Sequence, residues 1–326
     1  MVNKDYNIDA VITWVDGNDE TWQKKINKFL VTKIDFKKKK ESIRYNSIGE
    51  IDIAIKSIIK YAPFLKNIYL VTDNQRPGAF DNLVNLAKQN KINLELIDHT
   101  VIFKDHKECL PCFNSASIGC MLYNIPNLSE HFIIFNDDTF LMRETTPNDF
   151  FRDGEPVIRG QWEKFNDDRI LRKIYHKVRK AIGIPKKEKV SSFKKFQQTS
   201  AKLAGAKKYV RRFHTPVSAR KSTIENFFSN NDELLRNNVA NRFRNQNQFI
   251  ISSLSEHLEI MNNSFHYSNN AQLTYFRSYK SLSSTKQKLK KFMKNKNKRF
   301  MTFQSLELAD EQTLNYILAW IDDRLK

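Results

Sequence analysis

Phe132-Ile133-Ile134-Phe135-Asn136-Asp137-Asp138 is the stretch from which the rest of the chain can be read. Its four apolar residues, aromatic or β-branched, predict a short buried strand. Asn136 and two adjacent carboxylates follow at its carboxyl end, and open α/β sheets bind ligands outside that end of their strands. Neighbouring carboxylates repel each other unless a proton or a cation intervenes. Hard oxygen ligands of this kind suit Mg²⁺ or Mn²⁺ carrying substrate phosphates, which makes Asp137 and Asp138 candidate metal ligands. A plain Asn-Asp-Asp turn is formed just as readily by these residues. The heptapeptide alone leaves both readings open.

Working outward, Ile8 to Val15 reads as a first strand, followed by the turn Asp16-Gly17-Asn18-Asp19 and a helix from Thr21 to Leu30. Gly49 to Tyr61 repeats Ile51, Ala54, Ile55, Ile58 and Ile59 at helical spacing until Pro63. A second strand over 68–73, a helix over 80–90, a third strand over 94–97 and a helix over 115–123 lead to the opening heptapeptide. This alternation predicts an α/β fold with a doubly wound, largely parallel sheet, Rossmann-like or GT-A-like, carrying helical C-terminal additions. Beyond residue 150 the pattern changes. Val157–Trp162 reads as a further strand, 183–200 as loop, and 224–235, 248–261 and 312–325 as helices. Residues 170–182 form a basic amphipathic pattern that suits a membrane interface, and equally a core-facing helix with a solvated basic face. The chain therefore divides into a core at 1–165, a basic insert at 166–210, a second segment at 211–280, a lysine-rich connector at 281–299 that reads as either helix or disorder, and a C-terminal helix at 300–326.

The 326 residues are 40% hydrophobic with 24 Phe, enough for one large or two moderate domains. No window offers the ~20 uninterrupted apolar residues that cross a bilayer, and the first residues lack a secretory signal pattern. Three cysteines fit a reducing cytoplasm better than a disulfide framework. Cys109 and Cys112 have C-x2-C spacing, with no second Cys/His pair at zinc spacing. The net charge of +19 is local: residues 169–213 hold 16 Lys/Arg against Glu188 alone, and 286–299 hold 8 against none. Such segments suit an anionic surface or polymer. No recognised nucleic-acid-binding module accompanies them.

Acids recur at predicted strand ends: Asp16, Asp73, Asp137 and Asp138. Convergence of strand ends would gather them in one cleft, although a lone Asp after a strand is commonly a turn or a helix cap. Neither a dinucleotide fingerprint, a P-loop nor a G-x-S-x-G elbow is present. Phosphate binding would then rely on cationic side chains, a metal and helix N-termini. His214-Thr215-Pro216 holds a histidine beside an X-Pro step, an extended backbone suited to aiming an imidazole. Arg242-Phe243-Arg244 reads as part of a helix or its end, or as solvent-facing charge.

Several blocks together resemble the Stealth family of sugar-1-phosphate transferases. They are IDAVITWVDGNDETW at 8–22, GEIDIAIKSIIKYAPFLKNIYLVTDNQRP at 49–77, LPCFNSASI at 110–118 and IPNLSEHFIIFNDDTFL at 125–141. RRFHTPVSARKSTIENFF and ANRFRNQNQF, at 211–228 and 240–249, resemble the third block, with His214 and Arg244 at its His and Arg positions. RFMTFQSLELAD, at 299–310, is a fainter likeness of the fourth. Where the family has R-Y-R-D-N-G-E-L, this chain has Arg44-Tyr45-Asn46-Ser47-Ile48-Gly49-Glu50-Ile51, so only Arg44 and Glu50 carry over. Lys56 replaces an arginine and loses its bidentate fork. Gln304-Ser305 replaces Asn-Asp in the fourth block.

The resemblance implies a UDP-sugar donor, commonly a UDP-N-acetylhexosamine, and a hydroxyl of an oligosaccharide or polysaccharide as acceptor. A sugar-1-phosphate diester would form and UMP would leave, in capsular or cell-surface polysaccharide synthesis. It further implies that Asp137 and Asp138 hold Mg²⁺ or Mn²⁺, that Arg244 clamps a phosphate oxygen, and that His214 acts as general base or phosphorylated nucleophile. Trp14, Asp16 and Asp73 would line the donor pocket, with Arg44, Glu50, Lys56, Asn114 and Asn136 as further substrate contacts. Residues 169–213 would meet either the anionic inner leaflet of the plasma membrane or the growing phosphodiester polymer, and an oligomer is compatible with the sequence. Two rival readings are a metal-dependent glycosyltransferase, which would release UDP, and a basic nucleic-acid-binding protein.

Overall fold

A computed structural model describes residues 6–38, 48–168, 182 and 192–326. The expected helix over 170–182, Ile182 apart, and Arg44 lie outside the described residues. The first half runs β1 (Ile8–Thr13), α1 (Glu20–Asn27), α2 (Glu50–Tyr61), β2 (Asn67–Thr72), α3 (Phe80–Gln89), β3 (Asn93–Asp98), α4 (His99–Ile102), α5 (Ser115–Cys120) and β4 (His131–Asn136). The four strands form a parallel array in the order β3-β2-β1-β4. Strands apolar on both faces belong in the middle of a layered structure, and here each face has its own core. Ile8, Ala10 and Ile12 pack with Ile51, Ile55 and Ile58 of α2 and Leu83 of α3. Val11, Tyr69 and Val71 pack on the other side with Ile118 and Phe249. The sheet is doubly wound.

The second half adds β5 (Thr139–Leu141), β6 (Phe151–Arg152), β7 (Glu155–Glu163), α6 (Phe193–Leu203), β8 (Tyr209–Arg212), β9 (Val217–Arg220), α7 (Lys221–Ser229), α8 (Asp232–Val239), α9 (Ile251–Met261), β10 (His266–Ser268), β11 (Leu273–Phe276), α10 (Leu282–Lys294), β12 (Phe300–Phe303) and α11 (Glu311–Leu325). β9 closes the main sheet antiparallel to β4. A small sheet, β11-β12-β5, stands beside it, and α2 braces it where Leu141 N donates to Ser57 Oγ at 3.0 Å.

Two expectations change. Residues 193–203 are helical, not loop: Ser192 caps the helix, and Phe196, Ser200 and Ala201 are buried at helical spacing among glutamines that hid the period. The helix expected over 224–235 is two, because the amides of Asn230 and Asn231 donate to the Asn226 and Phe227 carbonyls, both at 2.8 Å, and end α7. Of the two readings of the lysine-rich connector, helix or disorder, the structure has the helix: α10, whose Thr285, Leu289 and Phe292 are buried on one face. β11 and β12, of 4 residues each, are too short to show a period in sequence.

Behind the main sheet His257 of α9 ties down β8, accepting from Val210 N at 3.0 Å through Nε2 and bonding the Ser253 carbonyl at 2.6 Å through Nδ1. Burial lowers its pKa to about 4, whereas a free imidazole titrates near 6.5. Between those values the unfolded chain binds a proton that the folded chain refuses. This contribution to stability therefore grows as pH rises through that window and is complete above it. Urea denaturation between pH 4 and 6.5 should show the native protein gaining stability with pH, and His257→Gln should flatten the slope.

Candidate active site

The turn between β4 and β5 carries Asp137 and Asp138, and the second half of the chain supplies what faces them. β9 pairs with β4 so that Ile134 lies opposite Val217 and His131 opposite Arg220. Continued past its last pair, that register sets His214 across from Asp137. The ring arrives with Nε2 3.5 Å from Asp138 Oδ2 and 3.3 Å from the Asn136 amide nitrogen. An amide nitrogen so placed donates, which leaves Nε2 as the acceptor and the ring proton on Nδ1. The Asp138 carboxylate stands where it meets the positive charge of a ring that has gained a proton.

The surroundings hold this arrangement. Tyr275 of β11 stacks on the His214 ring with centroids 5.1 Å apart and planes within 1°. The Tyr275 hydroxyl donates to Gln304 Oε1, and Arg277 covers its ring at 4.8 Å. Thr302 Oγ1 donates to the His214 carbonyl at 3.1 Å. The Thr139 hydroxyl lies 3.1 Å from Thr302 Oγ1 and 3.2 Å from Asp138 Oδ1. Both threonines are buried, so the two catalytic candidates hang from one short polar chain across β5 and β12. Upstream, Arg212 Nη2 donates to the Thr215 carbonyl at 2.9 Å, and its Nε lies 3.6 Å from the buried Glu256 carboxylate. Burial lifts Glu256 to about 7 despite the opposing pull of that guanidinium.

Asp137 is pushed up to about 7, first by burial and then by the nearby carboxylates of Asp138 and Glu50. A carboxylate pair with this mutual repulsion fits a divalent cation, which would relieve it. Among the described residues no three His, Cys, Asp or Glu side chains form a metal cage. Two carboxylates would suffice for Mg²⁺, which is commonly held by one or two protein carboxylates together with substrate phosphates. The three cysteines are free and buried, and burial pushes the Cys112 thiol up to about 11.

The other predicted residues fall in several places. Glu50, in the first turn of α2 after Gly49 at φ 87°, is buried near enough to Asp137 to raise it. Lys56 is exposed on the same helix and its charge acts on Asp52. Asp16 sits in the turn after β1, where Oδ1 accepts from Asn18 N at 2.9 Å and the backbone pairs with Gln75. Asp73 is buried at the end of β2, and Oδ1 takes Lys25 Nζ at 2.6 Å. Trp14 is buried in the core beside α2, its indole nitrogen without a partner among the described residues. Asn114 departs from the expected substrate contact. It is buried and donates to Ser117, the Asn241 carbonyl and Gln248 while accepting from Ala116 N, so it holds α5 to the loop after α8. Arg244 is exposed and donates to Ser115 Oγ at 2.8 Å. Its neighbours are anchors: Arg242 Nε bonds the Pro111 carbonyl at 2.8 Å, and Phe243 stacks on Phe113. Sequence reasoning passed over Tyr275, Thr302 and Gln304, the last because it replaces the family's residue.

The fold is a largely parallel α/β sheet with paired carboxylates at one strand end and a histidine delivered to them by the edge strand. The chain belongs to the Stealth family. Stealth protein CR1, conserved region 1, matches residues 6–30, and Stealth protein CR2, conserved region 2, matches 44–158. The exopolysaccharide phosphotransferase cps2G of Lactiplantibacillus plantarum is 32% identical over 256 residues, 74% of this chain and 72% of that one. The capsular polysaccharide phosphotransferase cps1A of Actinobacillus pleuropneumoniae is 40% identical over 151 residues, 45% of this chain and 38% of its own. WcwK of Streptococcus pneumoniae, also a capsular polysaccharide phosphotransferase, is 39% identical over 151 residues, 46% and 43%. The matched stretch spans less than half the length of these last two. This chain is an enzyme of the phosphotransferase class. Among solved structures, the galactosyltransferase LgtC with donor and acceptor sugar analogs covers 97% of this chain and 95% of its own at a TM-score of 0.47 and 8% identity, too slight a likeness to carry an argument.

If Tyr275 positions His214, Tyr275→Leu should lower turnover by about tenfold to a hundredfold. The melting temperature should stay within a few degrees, and Tyr275→Phe should retain most of the activity.

Proposed function

We propose that this enzyme transfers a sugar-1-phosphate, N-acetylhexosamine-1-phosphate by preference, from a UDP-sugar to a hydroxyl of a glycan acceptor in capsular or cell-surface polysaccharide synthesis. The observation that carries the reading is His214 Nε2 facing Asp138 at 3.5 Å, a base beside a carboxylate pair in a chain whose relatives are named phosphotransferases. The acceptor oxygen attacks the phosphorus that bears the sugar, and its proton passes to His214 Nε2. The bond to the bridging oxygen of the diphosphate breaks, and UMP departs with that electron pair. Phosphoryl transfer needs alignment and charge neutralisation more than covalent help from the protein. Asp138 faces the imidazolium formed, and Asn136 and Tyr275 keep the ring aimed. Asp137 and Asp138 are the residues that would hold Mg²⁺ or Mn²⁺, which neutralises charge on the diphosphate when bound. Trp14, Asp16 and Asp73, at the ends of the two neighbouring strands, are assigned to the donor side.

Incubation with UDP-N-acetylhexosamines, Mg²⁺ and oligosaccharide acceptors should release UMP. Release of UDP would overturn the reading in favour of a glycosyltransferase. His214→Ala and Asp138→Ala should each lower turnover by at least a hundredfold while leaving the circular dichroism spectrum unchanged, and near-normal turnover in either would remove that residue from the site.

We also assign the local basicity to peripheral attachment at the anionic inner leaflet. No helix among the described residues is long and apolar enough to cross a membrane. α10 turns Lys286, Lys290, Lys291 and Lys294 outward, and each lysine near such a surface contributes on the order of 1 kcal/mol. Lys290→Gln, Lys291→Gln and Lys294→Gln together should weaken sedimentation with phosphatidylserine vesicles by about tenfold or more at ~0.1 M salt. Equal sedimentation of the native and substituted chains would leave α10 no such role.

A further inference from the structure

Between α8 and the start of α9 lies a cavity of about 270 Å³ whose lining is made chiefly of carboxamides. Its floor is Asn238 and Gln248, both buried. Gln248 Nε2 donates to Ser117 Oγ at 3.1 Å and to the Asn238 carbonyl at 2.8 Å, and its Oε1 accepts from Asn114 Nδ2 and from Asn245 N, both at 2.9 Å. Asn238 Oδ1 accepts from Phe249 N at 3.1 Å. Buried polar groups satisfied to this degree hold a surface loop in one shape, so the cavity is preformed.

The rim is different. Asn241 Nδ2 is engaged with the Asn237 carbonyl at 2.7 Å, and Asn245 Oδ1 with Asn247 N at 3.0 Å. Asn241 Oδ1, Asn245 Nδ2 and the whole carboxamides of Asn237 and Asn247 have no protein partner among the described residues, and they border the same cavity. Each carboxamide offers donors and an acceptor, the complement of a sugar hydroxyl that both donates and accepts. Leu234 and Phe249 supply the apolar part of the lining, which suits the C–H face of a pyranose. Among the described residues no charged side chain borders the cavity, although the chain carries a net charge of +19. An anion would find better partners elsewhere on this protein, and a neutral polyol finds its match here. The loop that forms the rim also presents Arg244, held to Ser115.

We propose that this cavity is an acceptor subsite that binds a neutral sugar residue of the glycan through the carboxamides of Asn237 and Asn247, Asn241 Oδ1 and Asn245 Nδ2. The assignment of the sugar to the acceptor rests on the function proposed above; the binding of a neutral sugar does not. Asn237 and Asn247 are exposed, so the double variant Asn237→Ala/Asn247→Ala keeps the buried floor intact. Saturation-transfer NMR with lactose, cellobiose and N,N′-diacetylchitobiose should show transfer to at least one disaccharide from the native protein and its loss from the variant. In the transfer assay the variant should raise the acceptor KM by about tenfold or more and leave the KM of the UDP-sugar unchanged. Transfer of equal strength from the variant, or none from the native protein, would overturn the subsite. Disaccharide binding that is lost in the variant, in a native protein that forms no UMP, would uphold the sugar site and refute the reaction.

Discussion

The antiparallel seam between β4 and β9 is the constraint on which the site depends. β4 belongs to the parallel array of the first half, and its last residues project the carboxylates beyond the sheet. β9 comes from a segment some eighty residues later, and only its backbone ladder along Ile134 to His131 sets which of its flanking residues stands at the turn. A one-residue slip would turn the side chains of β9 to the opposite face. Such a slip would take Val217 and Ala219, now buried, out of their packing. The hydrophobic requirement of the edge strand therefore also aims the histidine.

Around that seam, polar groups placed in the interior define the geometry that the apolar core cannot. Two buried threonines, one on β5 and one on β12, connect the Asp138 carboxylate to the His214 carbonyl. The guanidinium of Arg212 reaches forward to the Thr215 carbonyl and back to Glu256. Removing one partner of such a set leaves a buried group unsatisfied, which costs more than the hydrogen bond contributes. The same logic holds in the loop after α8, where Asn114, Ser117, Asn238 and Gln248 form a closed amide network under an open one. Rigid polar floors beneath exposed polar rims are what small-ligand sites require, because orientation there is set by a few fixed hydrogen-bonding groups.

The parts legible in sequence were those carried by local pattern. Strands with both faces apolar are visible because they bury on both sides, and α2 is visible because its isoleucines recur at helical spacing on its buried face. α6 was missed because much of its buried face is polar, Gln197, Gln198 and Ser200 among them. α10 stayed open between helix and disorder because its lysines leave a helical stripe of only three buried residues. Of the candidate site, the carboxylates and His214 were readable from residue type and position beside an X-Pro step. Tyr275, Thr302 and Gln304 were not, since nothing local distinguishes them from residues of a surface loop.

By itself, then, the sequence determined the α/β character, the order of the first strands and the family to which the chain belongs, because periodicity and ordered motif blocks are properties of contiguous residues. Tertiary structure alone decided that His214 meets Asp138 and Asn136, that Glu50 acts on Asp137, and that Asn114 is a buried anchor. It also decided that the amides of the loop after α8 divide into a satisfied floor and a free rim. Those outcomes depend on strand register and on hydrogen bonds between residues distant in the chain, and no local pattern encodes either.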